Sequence, residues 1–227
     1  MDSYKIILNE EILKEFIEWL PELQINEKFY VALFARKKYC REVKYIHTDK
    51  AQVKRFLATK KDLFNKIRQL EVPLDSYVLK DITIPQESLA LYISVNPRDL
   101  EKGTRQSLIK FANLLASKYN GYNPVAEATS EVHKACSRKL WFDFDYDGVE
   151  LDSILPEIDK ILPRECFRIL QTRSGFHVIV HLPSLDKKIS HLWYKGLTSL
   201  PGCDVKGDNL LPVPGCTQGE FTPNFII

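Results

Sequence analysis

Strand-length apolar runs alternating with apolar stripes at helical spacing predict an α+β fold for this 227-residue chain. Charge divides it further. Between Lys28 and Arg68 there are 13 Lys or Arg against three acids (Glu42, Asp49 and Asp62), so a chain of net charge +2 carries +10 there and −8 elsewhere. The third observation is order: beyond the Asn120-Gly121-Tyr122-Asn123-Pro124 turn the pattern becomes β-α-β-β-α-β. Residues 1–123 are therefore expected to form a basic N-terminal α/β lobe. Residues 124–227 are expected to form an RNA-recognition-motif-like (ferredoxin-like) sheet, the two packing as one compact domain.

The elements follow in turn. Leu13, Phe16, Ile17 and Leu20 make a helical stripe that Pro21 ends. Phe29–Ala35 and Glu42–His47 read as strands around the basic Arg36-Lys37-Lys38 turn. Thr48 or Asp49 is the expected cap of a helix carrying Val53, Phe56, Leu57, Phe64, Ile67 and Leu70. Leu89–Val95 reads as a strand. Asn96-Pro97 then resembles a cap followed by proline, opening a helix with Leu100, Leu108, Ile109, Ala112 and Leu115 on one face. In the second lobe Leu140–Asp145 is a strand, and Leu151 to Leu162 a helical face closed by Pro163. Cys166–Gln171 and Phe176–Leu182 are strands joined by a tight Arg-Ser-Gly turn. Ile189, Leu192, Trp193 and Leu197 form a last helical face before an extended piece at Cys203–Val205.

Composition excludes several classes. The hydrophobic fraction of 44% and charged fraction of 27% are those of an ordinary globular protein. No apolar run approaches the roughly 20 residues that span a bilayer, and Met-Asp-Ser-Tyr-Lys does not begin a signal peptide, so a cytoplasmic protein without membrane contact is expected. Cys40, Cys136, Cys166, Cys203 and Cys216 are odd in number and lack a Cys-x-x-Cys pair, which argues against a disulfide framework and a zinc ribbon. The basic run, interleaved with aromatic residues, is the expected nucleic-acid surface, with Arg36, Lys37, Lys38 and Arg41 as the candidate contacts; solvated charge and core aromatics are the plainer explanation.

Three constellations carry chemistry. In Trp-Phe-Asp-Phe-Asp-Tyr-Asp, residues 141–147, alternation puts Asp143 and Asp145 on one face and Phe142, Phe144 and Tyr146 on the other. Carboxylates at i and i+2, roughly 6.5–7 Å apart along a strand, can converge on hard cations. Asp147-Gly148 reads as the turn that ends the strand. Arg173-Ser174-Gly175-Phe176-His177 supplies a guanidinium, a hydroxyl, a tight glycine turn and an imidazole suited to phosphate; His181 and His191 are assigned to structure. Cys203-Asp204-Val205 offers Asp204 as a third ligand, with Asp208 as competitor.

The order Asp-x-Asp, Ser-Gly-Phe-His, hydrophobic-Asp resembles the three motifs of the archaeo-eukaryotic primase superfamily, the primase-polymerases. Leu211-Pro212-Val213-Pro214-Gly215 and the residues up to Gly219 are similar to the Pro-Gly stretch that often follows the third motif. Tyr92 to Arg98 is similar to a segment of phage and mobile-element members. The match covers roughly the second half of the chain. Members often carry an arginine where Leu211-Pro212 stands, and zinc or helicase modules of some members have no counterpart, so a minimal catalytic core or a fragment is expected. The resemblance implies that Asp143, Asp145 and Asp204 bind two Mg²⁺ or Mn²⁺ ions as the catalytic acids. It implies also that Arg173, Ser174, Gly175 and His177 bind a nucleoside triphosphate, with a single-stranded or primed template and a helicase or replication protein in trans as partners. Two other readings stand beside it: a catalytically silent nucleic-acid-binding or replication-initiation relative, and a metal-dependent nucleotide-sugar transferase.

Overall fold

Local signals start most elements of the computed structural model, which describes residues 2–40, 48, 51–79, 81–185 and 192–227. Asn9 caps α1 (Glu10–Trp19) by accepting from the amides of Glu11 and Ile12, and Leu13, Phe16 and Ile17 form its buried face. β1 (Glu27–Ala35) follows, then β2 (Ala51–Ala58) and α2 (Lys60–Arg68). After a two-stranded hairpin, β3 (Val78–Leu79) with β4 (Ile82–Thr83), come β5 (Leu89–Ser94), β6 (Arg98–Asp99), α3 (Leu100–Leu115) and α4 (Pro124–Lys134). The rest is β7 (Trp141–Asp147), α5 (Leu151–Ile161), β8 (Phe167–Gln171), β9 (Gly175–His181), α6 (Trp193–Ser199), β10 (Cys203–Gly207), β11 (Leu210–Pro212) and β12 (Asn224–Phe225).

The fold is mixed α+β, with two five-stranded antiparallel sheets among the described residues. The first runs β11-β5-β1-β2, with β6 paired to the start of β1; the second runs β10-β7-β9-β8-β12. After β10 the chain crosses to add β11 to β5, then returns to add β12 to β8, so its last strands tie the sheets together. Alternation sorts the second sheet's side chains. Phe144, Tyr146, Phe176, Val178 and Val180 enter a core with Ile154, Ile158 and Leu197 from α5 and α6. Ile179 and Trp141 instead join the larger core built on the first sheet and α1. The acids of β7 share that second face, toward the first sheet. Among the described residues no helix is long and apolar enough to cross a membrane.

Four local expectations are corrected. Val53, Phe56 and Leu57 lie in β2, which pairs with β1 from Phe29↔Ala58 to Ala35↔Ala51. The helix starts only at Lys60, where Thr59 and Asp62 form a reciprocal capping box, so the cap is neither Thr48 nor Asp49. Asn96 does not cap α3: Asp99 does, accepting from the Lys102 amide at 2.9 Å. The same Asn-Pro signal does work at Asn123-Pro124, opening α4. In α3 it is Gly103 and Ser107 that are buried, against α4, while Leu108, Ile109 and Leu115 are exposed. The turn at residues 120–124 thus joins two helices packed on each other, and the second sheet begins only at Trp141. The strand expected at Glu42–His47 lies outside the described residues.

One buried charge ties the first sheet to the segment leading into β7. The Glu27 carboxylate, 2% exposed, accepts from Arg138 Nε at 2.8 Å and Nη2 at 2.7 Å, Ser137 Oγ at 2.6 Å and the Gln24 amide at 2.8 Å. Burial pushes its pKa up, but these donors outweigh it and hold the carboxyl at about 2, against an ordinary 4.5. A depressed carboxylate stabilises the fold fully above the unfolded-state value and loses that contribution as pH falls through the folded one. Glu27→Gln is therefore expected to cost about 3 kcal/mol at pH 7. The difference from wild type should shrink steadily between pH 4.5 and 2 in denaturant titrations.

Candidate active site

The face of β7 that looks toward the first sheet carries Asp143, Asp145 and Asp147. They line a cleft of about 310 Å³ whose other walls include Ser174 and His177, Arg36 and Lys38 of the turn after β1, Tyr92 of the first sheet, and Asn209. Asp143 is buried, Asp145 half-buried and Asp147 exposed, so the row of acids runs from the protein interior out to solvent.

Register sets the geometry. Asp145 lies opposite His177 and Asp143 opposite Ile179 in the β7–β9 ladder. His177 reaches diagonally, its Nδ1 2.8 Å from Asp143 Oδ1, and its Nε2 stands 3.6 Å from Asp145 Oδ1. The other Asp143 oxygen accepts from Asn209 Nδ2 at 3.3 Å. Burial works against a charge on His177, yet Asp143 beside it, then Asp145 and Asp147, outweigh burial and raise its pKa. Burial raises the pKa of Asp145; His177 and Lys38 oppose that, and the neighbouring acids add to it. These groups form one electrostatic unit, acids and cations facing each other across a partly buried cleft.

The expected site residues fall into distinct places. Asp143, Asp145, Ser174 and His177 come together, and Arg36 and Lys38 join them. Arg173 turns away: its backbone amide donates to Gln218 Oε1 at 2.9 Å, its guanidinium donates to the Gly219 carbonyl, and it lies 4.7 Å from the centre of the Tyr39 ring. Gly175 is required by proximity and not by an unusual φ, because a Cβ there would sit 2.0 Å from the Tyr146 carbonyl oxygen. Asp204 is exposed on β10 and does not line the cleft. Asp208 is engaged by Arg98 and Asn96. Lys37 is exposed on the turn after β1, outside the cleft lining, and Arg41 and His191 lie outside the described residues. His181 does not line the cleft; its ring lies 4.4 Å from that of Trp141 and its Nδ1 2.6 Å from Ser184 Oγ.

Sequence reading missed Tyr92, Thr172, Asn209 and Gln218, and set Asp147 aside as a turn residue, although it lines the cleft at the end of β7. The period-two pattern was the available signal for Asp147. Asn209 had only its adjacency to Asp208.

Among the described residues no group of three or more His, Cys, Asp or Glu side chains could by itself hold a metal ion. Asp143 and Asp145 are nevertheless oxygen donors of the kind Mg²⁺ and Mn²⁺ take, and Mg²⁺ is commonly held by one or two carboxylates together with substrate phosphates. No protein-family model matches the chain, and no match to it is found among curated proteins or solved structures.

Proposed function

We propose that this chain is a template-directed nucleotidyltransferase, a DNA primase or polymerase that joins nucleoside triphosphates with Mg²⁺ or Mn²⁺ held at Asp143 and Asp145. One observation carries the reading: two strand carboxylates, a serine hydroxyl and a histidine share one cleft, and Arg36 and Lys38 form part of its wall. That pairs a site for hard cations with donors for a polyphosphate. The second sheet supports it too. Its strands β7 to β10 lie side by side in the order fourth, first, third, second, which supports a ferredoxin-like core of that kind. The motif order in the sequence points the same way.

When bound, the ions supply Lewis-acid activation of a primer 3′-hydroxyl and charge compensation for the departing pyrophosphate. The chain's own residues do the rest. His177 and Asn209 hold the two oxygens of Asp143 in a fixed orientation. Ser174 and Lys38 meet the triphosphate, with Arg36 in the same wall, held against Tyr92 and Tyr39; the role moves from Arg173 because Arg173 does not line the cleft. Asp147, not Asp204, is the third carboxylate that faces the substrate. The basic surface around the β1–β2 region holds the template through phosphate contacts that weaken with salt.

The test is a gel assay of template with and without primer, deoxy- and ribonucleotides, and Mg²⁺ or Mn²⁺. Metal-dependent incorporation supports the reading; its absence under every combination sinks it. Lys38→Ala is expected to raise the nucleotide KM by about 10–100-fold, the worth of a hydrogen bond to a charged group, with kcat changed far less. A silent nucleic-acid-binding relative is the second reading, favoured by the exposure of Asp204 away from the cleft. Single-stranded DNA binding without incorporation would select it.

A further inference from the structure

Away from the cleft, one buried ion pair stands where the two sheets meet. Arg98, 1% exposed, grips Asp208 with both arms of its guanidinium, Nη2 donating to Oδ1 at 3.0 Å. Asn96 Nδ2 donates to the same oxygen at 2.8 Å and also to the Trp141 carbonyl at 2.9 Å. Its Oδ1 accepts from the amides of Leu140 and Trp141, both at 2.8 Å. The cluster therefore clamps the entry of β7 to the connection between β10 and β11. Desolvation largely offsets the attraction within a buried pair, so stability alone is a weak reason for one here. What the pair does have is an address. Gly207, just before Asp208, lies opposite Asp143 in the ladder, and Asn209, just after it, donates to Asp143 Oδ2 at 3.3 Å.

We infer that Arg98, Asp208 and Asn96 are positioning residues for Asp143. They fix the backbone on both sides of Asn209, so that its carboxamide holds one oxygen of Asp143 while His177 holds the other. Asp143 is then locked against rotation about its terminal bond, although Arg98 itself has no place in the cleft lining. The fork of Arg98 matters as well as its charge, because two parallel bonds set the orientation of the Asp208 carboxylate. The consequence for catalysis rests on the nucleotidyltransferase reading; the positioning itself does not.

The experiment uses the full chain as Asp208→Asn, Asn209→Ala and the double variant, read in two ways. The first is NMR without metal or nucleotide, following the Asn209 side-chain amide and the Asp143 carboxyl carbon. Asp208→Asn is expected to move both resonances, and Asn209→Ala to move the Asp143 carbon in the same direction. The second is template-dependent incorporation. Each single variant is expected to lower kcat by about 10–100-fold, as loss of an orienting partner does, with the nucleotide KM within about twofold of wild type. The double variant should be no worse than Asn209→Ala, since both changes remove one device. Unmoved Asn209 and Asp143 resonances in Asp208→Asn, or multiplicative losses in the double variant, would overturn the inference. Asn209→Ala leaves the buried ion pair intact, so even if Asp208→Asn fails to fold, an unmoved Asp143 carboxyl carbon in Asn209→Ala overturns the inference. A wild-type chain that incorporates nothing defeats the functional reading, and the NMR arm then decides the positioning alone.

Discussion

Asp143→Asn is expected to reduce nucleotide incorporation by about 1,000-fold or more while leaving the fold intact. The carboxylate lies at the buried end of the cleft, 2.8 Å from His177, and is one of two held beside that imidazole. On the proposed reading a cation at the site would draw part of its binding from that charge, and losing about 4 kcal/mol of charge stabilisation in the transition state corresponds to about three powers of ten in rate. The carboxamide has the same size and can still accept from His177 through its oxygen. It also removes a negative charge from a cleft that already contains Asp145 and Asp147. Thermal denaturation should therefore show a change of no more than a few degrees, and circular dichroism none. Asp204→Ala provides the contrast. If the cleft defines the site, that variant retains incorporation within a few-fold of wild type, because its side chain is exposed on β10 outside the cleft. Incorporation that survives Asp143→Asn would remove the metal assignment; incorporation that dies with Asp204→Ala would return Asp204 to the site.

How much of this was legible from residues alone depends on the range of the interaction. The acids of β7 were legible because period-two alternation is local, and the aromatic partners of that alternation, Phe144 and Tyr146, are indeed buried on the opposite face. His177 was legible from its neighbours in a short turn. Long-range pairings were not. Val53, Phe56 and Leu57 have spacings that suit a helix, and only pairing with β1, fixed by contacts between distant segments, makes them a strand. Arg173 was expected at the phosphate because a guanidinium beside a serine and a tight glycine turn suits an anion. Gln218 and Gly219, more than 40 residues away in sequence, hold it elsewhere. Asn96 shows the same limit from the other side: a good local cap signal is overruled because its amide satisfies the backbone at the start of β7. Asp208 and Asp204 are indistinguishable as loop acids until Arg98 is brought to one of them.

The second large effect is expected at Gly175. Its substitution by alanine places a Cβ 2.0 Å from the Tyr146 carbonyl oxygen, 2.9 Å from Asp147 Oδ1 and 3.1 Å from the Tyr146 carbonyl carbon. Two of these atoms are backbone in a paired strand, so no rotamer change relieves the clash; β7 and the turn must separate by about 1 Å or more, given ordinary carbon–oxygen contacts. Gly175 cannot retreat cheaply either. Its carbonyl accepts from the Thr172 amide at 2.9 Å, Thr172 Oγ1 at 3.0 Å and Gln171 Nε2 at 3.2 Å, bonds that shape the turn carrying Ser174. The expected cost is about 3 kcal/mol, the upper end for an overpacked site, or a fall of roughly 6–12 °C in Tm for a chain of this length. Activity should fall further than stability, because widening this end of the β7–β9 ladder carries Ser174 and His177 away from Asp145 and Asp147. Gly148, next to Asp147, separates crowding from backbone strain. Its φ is +70° but a Cβ there meets nothing within 4 Å, so Gly148→Ala is expected to cost only about 1–2 kcal/mol, with incorporation near wild type. Equal losses at the two glycines would mean that the close approach of Gly175 to β7 is not what requires a glycine there.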